Sequence, residues 1–341
     1  LLSIFLALLN IFFIGLLNKI VNQRNIRIIL IPLSLTLVSI IKEFLLGGFP
    51  WNPSSIIWVN NLYILKIIQF IGIYGFGIIN HLLIALFLYG LFNKQKIILL
   101  LCSLLILVVY SLQFITFSKD KFYDIDGDSI SILIIQPNIK ESLVNFSIIK
   151  KIEIYEKQTK EALREYPNSD LIIWPEGALN LDLNNKKVLL KRIGNLLSNN
   201  QNLILGANAL TNDKLYNRMY YINNKGDVEQ SYDKQKLVLF GEYIPFDGYK
   251  ISKFLDMGLS FSKGEENNHI NLNKNFIVSP MICFESIFDY SRINNNICKT
   301  DFILQISNDS WFGNYIGPSQ HFKNSLLRSV EQNMILVRST P

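Results

Sequence analysis

Tyr232-Asp233-Lys234-Gln235-Lys236-Leu237-Val238-Leu239-Phe240-Gly241-Glu242-Tyr243 is the stretch toward which two other segments of the chain converge. Upstream lies Leu171-Ile172-Ile173-Trp174-Pro175-Glu176, and downstream lies Met281-Ile282-Cys283-Phe284-Glu285. Each outer segment is a short apolar run that stops abruptly at a reactive side chain. Such a run reads as a buried strand that delivers its last residue to the rim of a sheet. A carboxylate, an ammonium and a thiol delivered this way make a nucleophilic site.

The flanking pattern extends that reading. Apolar runs at 129–135, 170–174, 202–206, 276–283 and 302–307 predict strands, and 337–341 ends on another. Helical spacing covers 146–166, 186–197 and 321–331. Residues 215–222 and 228–232 flank Asn223-Asn224-Lys225-Gly226-Asp227 and predict a hairpin. Strands alternating with helices argue an α/β domain with a central buried sheet and helices outside it. Near residues 294–296 the chain is Asn-rich, with no repeat elsewhere.

Composition marks a boundary ahead of this domain. Half of the 341 residues are hydrophobic, and the mean hydropathy of +0.25 is high for a soluble protein. The excess is concentrated before about Lys119. The net charge of +6 comes from Lys and Arg scattered among Asn and Ile, with no basic stripe interleaved with aromatics, which argues against nucleic acid. Three cysteines, Cys102, Cys283 and Cys298, are too sparse and odd in number for a disulfide framework. Leu1 stands where a Met would begin a chain, so both ends read as cut.

Four apolar segments, at 1–17, 28–46, 68–92 and 97–117, are each near the roughly 20 residues that cross a bilayer. Lys19, Arg24 and Arg27 lie between the first two, and Lys94 and Lys96 between the last two, whereas Gly48-Phe49-Pro50-Trp51-Asn52-Pro53 carries no charge. The positive-inside rule then makes the basic loops cytoplasmic and everything after the fourth span extracytoplasmic. The expected organisation is a multi-pass α-helical membrane domain over 1–117 and a catalytic domain over 118–341. Lys42 and Glu43, near the outer end of the second span, read equally well as a functional pair or as snorkelling side chains.

Cys283 closes a strand, and a helix is expected directly after it; a thiol at a helix N-terminus has a depressed pKa. An inert buried cysteine is the bland alternative. The histidines are His81, His269 and His321. None stands where a Cys–His pair needs it, and no Cys/His cluster has zinc-ligand spacing, so no metal is expected. What remains is a carboxylate base with a cation nearby. Glu176 would take the thiol proton and later return one to the leaving group. Lys234, with the backbone N–H after Cys283, would stabilise the tetrahedral oxyanion.

Trp174-Pro175-Glu176, then Tyr232-x-Lys234-x-x-Leu237-Val238-x-Phe240-Gly241-Glu242, then Ile282-Cys283-x-Glu285, resemble the Glu-Lys-Cys triad of the nitrilase (carbon–nitrogen hydrolase) superfamily. The resemblance implies an α-β-β-α sandwich. Within the superfamily, the apolar spans, Gly48-Phe49-Pro50-Trp51, Asn308-Asp309-Ser310-Trp311-Phe312-Gly313 and Gly317-Pro318-x-Gln320-His321-Phe322 are similar to the apolipoprotein N-acyltransferases. That family resemblance implies an acyl donor phospholipid, typically phosphatidylethanolamine, a Cys283 thioester, and an S-diacylglyceryl-cysteine apolipoprotein as acceptor. It implies no cofactor, a monomer, and an inner-membrane enzyme whose catalytic domain faces the periplasm. Glu242 and Glu285 would support Lys234 and shape the site, and Trp311 and Tyr243 would line the acyl or headgroup path. Leu239 and Phe284 depart from the family's usual Pro and Tyr, and residues 142–146 lack a common Trp, which leaves donor preference open. Two other readings stand beside this one. The first is a membrane-tethered amidase; the second is an inactive scaffold, which a Cys283–Cys298 disulfide would favour.

Overall fold

The computed structural model describes residues 2–45, 48–112, 129–139, 148–239, 241–243, 260–265, 269–289, 300–313 and 315–341. Expectations placed on Phe240, Cys298, residues 113–117, residues 142–146 and the Asn-rich loop lie outside them. The chain divides into two compact units, Leu1–Asp124 with Lys323–Asn333, and Ile125–Phe322 with Met334–Pro341.

The first unit is helical: α1 (Leu2–Ile20), α2 (Arg24–Phe44), α3 (Leu62–Phe92) and α4 (Lys96–Leu112). By length and apolarity α2 and α3 are able to cross a bilayer, whereas α1 and α4 contribute shorter apolar stretches. Large apolar side chains stay on the surface, Phe70 at 87% exposure and Ile97 at 74%, as lipid rather than water would permit. Asn61 caps α3 by accepting the N–H groups of Tyr63 and Ile64.

α3 begins six residues earlier than its hydropathy predicts and kinks at Gly72, whose φ of 75° leaves the helical region. The freed N–H of Ile73 donates to Glu331 Oε1 at 2.7 Å, one of the recognised ways a kink is satisfied. Arg328 bridges Glu331 Oε2 (2.8 Å) and Glu43 Oε1 (3.4 Å), and Tyr74 donates to Glu43. Glu43 is thus buried and paired rather than reaching outward.

The second unit is α/β. Its elements run β1 (Ile132–Ile134), α5 (Ile148–Glu165), β2 (Leu171–Ile173), β3 (Leu179–Asp182), α6 (Lys187–Gly194), β4 (Asn202–Thr211), β5 (Lys214–Ile222), β6 (Val228–Asp233), β7 (Ile270–Asn271), β8 (Ile277–Ile282), β9 (Phe302–Ile306), α7 (Gly317–Glu331) and β10 (Ile335–Ser339). The short strands β3 and β7 are additions to the sequence reading, and β4 runs five residues further than expected. From Lys323 onward α7 counts with the first unit.

The central sheet expected from the residue pattern is a pair of sheets, in keeping with the α-β-β-α sandwich that the resemblance implies. Among the described residues one runs β1-β2-β4-β5-β6 with β3 also on β4, and the other runs β10-β9-β8-β7. The first is parallel through β4 and antiparallel across the β4–β5–β6 hairpins; β8, β9 and β10 are parallel. α5 and α6 cover one face of the first sheet, where Ile152, Tyr155, Leu190 and Ile193 pack with Ile172, Leu203, Leu205 and Tyr220. Trp174 stacks on Tyr155 at 4.7 Å and donates to Thr159 Oγ1 at 3.0 Å. The second sheet packs on the other face. At Gly206 of β4 a Cβ would lie 2.9 Å from Ile306 Cδ1 of β9 and 2.6 Å from the Cα of Glu176. Glycine there lets the sheets close over the end of β2.

Candidate active site

β2 is three buried residues long, and the chain leaves it through Trp174 and Pro175 to Glu176. Directly after it Gly177 takes a positive φ of 63°, which turns the chain sharply and leaves the carboxylate at the rim. Glu176 Oε1 accepts from Asn217 Nδ2 at 2.7 Å, and Oε2 accepts from the Asn308 N–H at 2.6 Å. Both oxygens are therefore aimed by groups from other strands and loops.

Lys234 follows the last residue of β6. Its N–H donates to the Asn217 carbonyl at 2.9 Å, which ties it to the strand that also holds Glu176. Its ammonium donates to Glu242 Oε1 at 2.8 Å and lies 3.8 Å from Glu176 Oε1, with 1% of the side chain exposed. Glu242 is itself fixed by the Val238 N–H at 2.9 Å. Burial alone would pull the ammonium's pKa down; the charges of Glu242, of Cys283 once ionised, and of Glu176 outweigh it and hold the pKa above the ordinary lysine range.

Cys283 follows β8 and opens the helix expected after it, which is a 3-10 turn of five residues, Cys283–Ile287. Its φ is 54°, in the left-handed region that a side chain adopts only when its surroundings enforce it. The expected depression of the thiol pKa is overturned. Burial first, then the Glu176 carboxylate, push it up; Lys234 and a hydrogen bond with Ser307 pull the other way without prevailing. The resting thiol is protonated and needs a base. Cys283, like Cys102, is a free thiol.

Glu285 acts on backbone. Its Oε1 accepts from Tyr232 Oη (2.9 Å) and from the N–H groups of Gln235 (2.6 Å) and Lys236 (3.0 Å), and Oε2 accepts from the Ile282 N–H (2.7 Å). One carboxylate thus stitches the strand end carrying Cys283 to the segment carrying Lys234. Burial raises its pKa against those N–H groups and Lys234.

Trp311 is 81% exposed, in a 3-10 turn three residues past Asn308. Tyr243 is half-buried beside Glu242, its hydroxyl pKa raised by burial. Neither is among the hydrogen-bond partners of Glu176, Lys234 or Glu242 described above. Asn217, Ser307 and the N–H of Asn308 are the participants that the sequence reading missed. An Asn within an alternating strand carries no signal of its own, and a backbone N–H carries none at all.

The arrangement is a buried ammonium held between two carboxylates, beside a thiol on a strained turn whose ionisation the ammonium favours and the carboxylates oppose. It suits attack by sulfur on a carbonyl carbon, with a carboxylate to take the proton and a cation for the developing oxyanion.

Residues 134–341 match the carbon-nitrogen hydrolase family, and residues 1–86 match the apolipoprotein N-acyltransferase N-terminal domain. The chain is similar to apolipoprotein N-acyltransferases of Wigglesworthia glossinidia brevipalpis (30% identity, 91% of this chain and 62% of that protein), Rickettsia prowazekii (32%, 87% and 61%) and Brucella suis (27%, 92% and 61%). It therefore spans about three fifths of the length of these curated relatives. Among solved structures, Saccharomyces cerevisiae Nit3 of the nitrilase superfamily aligns over 62% of this chain and 75% of its own at 17% identity, with a TM-score of 0.46. The family match covers well over half of the sequence and includes Glu176, Lys234 and Cys283, and the chain belongs to the carbon-nitrogen hydrolase family.

Proposed function

We propose that the protein is an acyltransferase that moves a fatty-acyl chain from a membrane phospholipid through a Cys283 thioester to the α-amine of an S-diacylglyceryl-cysteine apolipoprotein. The observation that carries this reading is the buried Lys234 ammonium, 2.8 Å from Glu242 and 3.8 Å from Glu176, with its charge coupled to Cys283. Three segments far apart in sequence supply these groups, and nothing in packing alone requires an ion cluster there.

In the first half-reaction Glu176 takes the Cys283 proton as sulfur attacks the ester carbonyl of the lipid. The C=O electron pair moves onto oxygen, opposite Lys234 and the Phe284 N–H. The intermediate collapses by breaking the acyl C–O bond, and the proton on Glu176 goes to the departing lysophospholipid oxygen. In the second half, the acceptor amine attacks the thioester carbonyl, the acyl C–S bond breaks as the amide forms, and the proton the amine loses goes to the departing sulfur and restores the thiol. Glu242 keeps Lys234 in place and Glu285 keeps the two strand ends in register.

Trp311, exposed and amphipathic, and Tyr243 line the acyl or headgroup path. The helices of residues 1–117 cross the inner membrane several times and hold the catalytic domain, 118–341, on the periplasmic side. Phosphatidylethanolamine is the donor we favour, and the protein acts as a monomer. Membrane attachment fits this chemistry because both substrates are lipid-anchored.

Hydrolysis of a small amide is the second reading. The 9% exposure of Cys283 favours it, since a closed site suits a small substrate better than a lipid. Mass spectrometry of the Cys283 peptide, from protein purified out of membranes, separates the two. A fatty-acyl adduct removed by hydroxylamine supports the transferase. An unmodified, alkylatable thiol after incubation with phospholipid vesicles overturns it and leaves the amidase.

A further inference from the structure

His321 lies at the base of the nucleophile's turn. Its ring is fully buried. Nε2 is 3.1 Å from the carbonyl oxygen of Cys283, which is only an acceptor, so Nε2 carries a hydrogen and donates. Nδ1 is 2.8 Å from Asp309 Oδ1, to which it donates when the ring carries both hydrogens, and 3.2 Å from Arg338 Nη2. Asp309 is anchored in turn by Ser307 Oγ at 2.7 Å and by Arg338 Nη2 at 2.6 Å on its other oxygen. Burial would raise the Asp309 pKa, but His321, Arg338 and Ser307 together hold it below the usual carboxylate range, so the anchor is charged. The ring also sits 5.7 Å from that of Phe312.

Two more donors reach the same carbonyl, Gln305 Nε2 at 3.0 Å and Ser286 Oγ at 3.1 Å. Gln305 Nε2 also donates to Ser286 Oγ at 2.7 Å. A turn of five residues needs no such convergence for its own stability. What the convergence fixes is the direction of one peptide plane. A trans peptide is planar, and its C=O and N–H point in opposite directions. Pinning the Cys283 carbonyl toward His321 therefore presents the Phe284 N–H to the opposite side, and it holds the positive φ of Cys283 that a free chain would abandon.

We propose that His321, oriented by Asp309, is a positioning residue for acyl transfer: it locks the Cys283–Phe284 peptide so that the Phe284 N–H faces the oxyanion. This rests on Cys283 being the nucleophile. His321 neither takes a proton from the thiol nor meets the substrate.

The test uses the full-length protein with phospholipid vesicles and compares two rates at Cys283, acylation from lipid and alkylation by iodoacetamide. Alkylation is a displacement at a saturated carbon and forms no oxyanion. An asparagine amide reaches only the position of Nδ1, whereas a glutamine amide reaches that of Nε2. In His321→Asn, acylation is expected to fall about 10²-fold, the scale of a misplaced oxyanion donor, with alkylation nearly unchanged. His321→Gln is expected to recover most of that loss. Should His321→Asn fail to fold, Gln305→Met, which removes another donor to the same carbonyl, is expected to separate the two rates in the same sense. Wild-type acylation by His321→Asn, or an equal fall in both rates in the folded variants, overturns the proposal. If the wild type forms no adduct at Cys283 at all, the nucleophile reading fails first and this inference falls with it.

Discussion

The Lys234 ammonium donates to Glu242 Oε1 at 2.8 Å, a full ångström closer than it comes to Glu176 Oε1 at 3.8 Å. Glu242 is the resting partner of the cation. Glu176 is held instead by Asn217 and the Asn308 N–H, which leaves it available as a base. Two carboxylates beside one ammonium have thus been separated in role by what else each of them binds.

Glu242→Gln removes the nearer partner and leaves a buried ammonium undercompensated. Breaking a buried pair in this way costs about 3–5 kcal/mol, so a marked fall in thermal stability is expected along with weaker Cys283 acylation. Lys234→Met removes the charge itself and is expected to slow acylation about 10²-fold or more, the scale of losing an oxyanion donor. Thermal unfolding and adduct mass at Cys283 check both, and wild-type acylation by Lys234→Met would break the assignment.

Burial and then Glu176 raise the Cys283 thiol pKa. A raised value means that folding favours the protonated thiol. The stability this contributes is complete below the unfolded thiol's range and is lost as pH rises through the raised value. Alkylation of Cys283 is therefore expected to keep accelerating with pH beyond the point where an ordinary thiol levels off. Glu176→Gln removes a negative neighbour, so at a fixed alkaline pH alkylation is expected to speed up several-fold while acylation from lipid is blocked. A pH–rate profile that levels off in the ordinary thiol range contradicts this.

Glu285 accepts from four donors on two segments. In Glu285→Gln one acceptor oxygen is replaced by an NH2 that faces N–H groups, and unsatisfied buried donors cost about 1–3 kcal/mol each. Hydrogen exchange is expected to accelerate at the amides that lose their oxygen, either Gln235 and Lys236 on one side or Ile282 on the other. Unchanged protection at these three amides would refute the stitching role.

Gly206→Ala places a Cβ 2.6 Å from the Cα of Glu176 and 2.9 Å from both Ile306 Cδ1 and the Pro175 carbonyl oxygen. Backbone cannot yield as a side-chain tip can, so a cost at or above the usual 1–3 kcal/mol of overpacking is expected. Because the clash displaces Glu176 itself, Cys283 acylation is expected to fall more steeply than thermal stability.

The sequence was legible wherever a residue's neighbours along the chain constrain it. The apolar runs ending at Glu176 and Cys283 placed both at strand ends, since a buried strand must turn where its apolar residues stop. The α3 kink was not legible, because Gly72 leaves the helical region to meet Glu331, which is 259 positions away. The resemblance implied two sheets where the residue pattern alone suggested one. A strand apolar on both faces looks the same whether a helix or another sheet covers it, and the strand pairing together with the closeness of Gly206 to Ile306 distinguishes the two.

By itself the sequence determined which side chains carry charge and nucleophilicity, and where the apolar helices precede the catalytic domain. Tertiary structure decided what each of those groups is. The thiol expected to be activated by a helix is a buried, protonated one on a 3-10 turn. His321, which the sequence did not place as a partner for the cysteine, is hydrogen-bonded to the nucleophile's own carbonyl. The physical reason is common to both. Protonation and orientation depend on burial and on partners brought together by folding, and sequence spacing fixes neither.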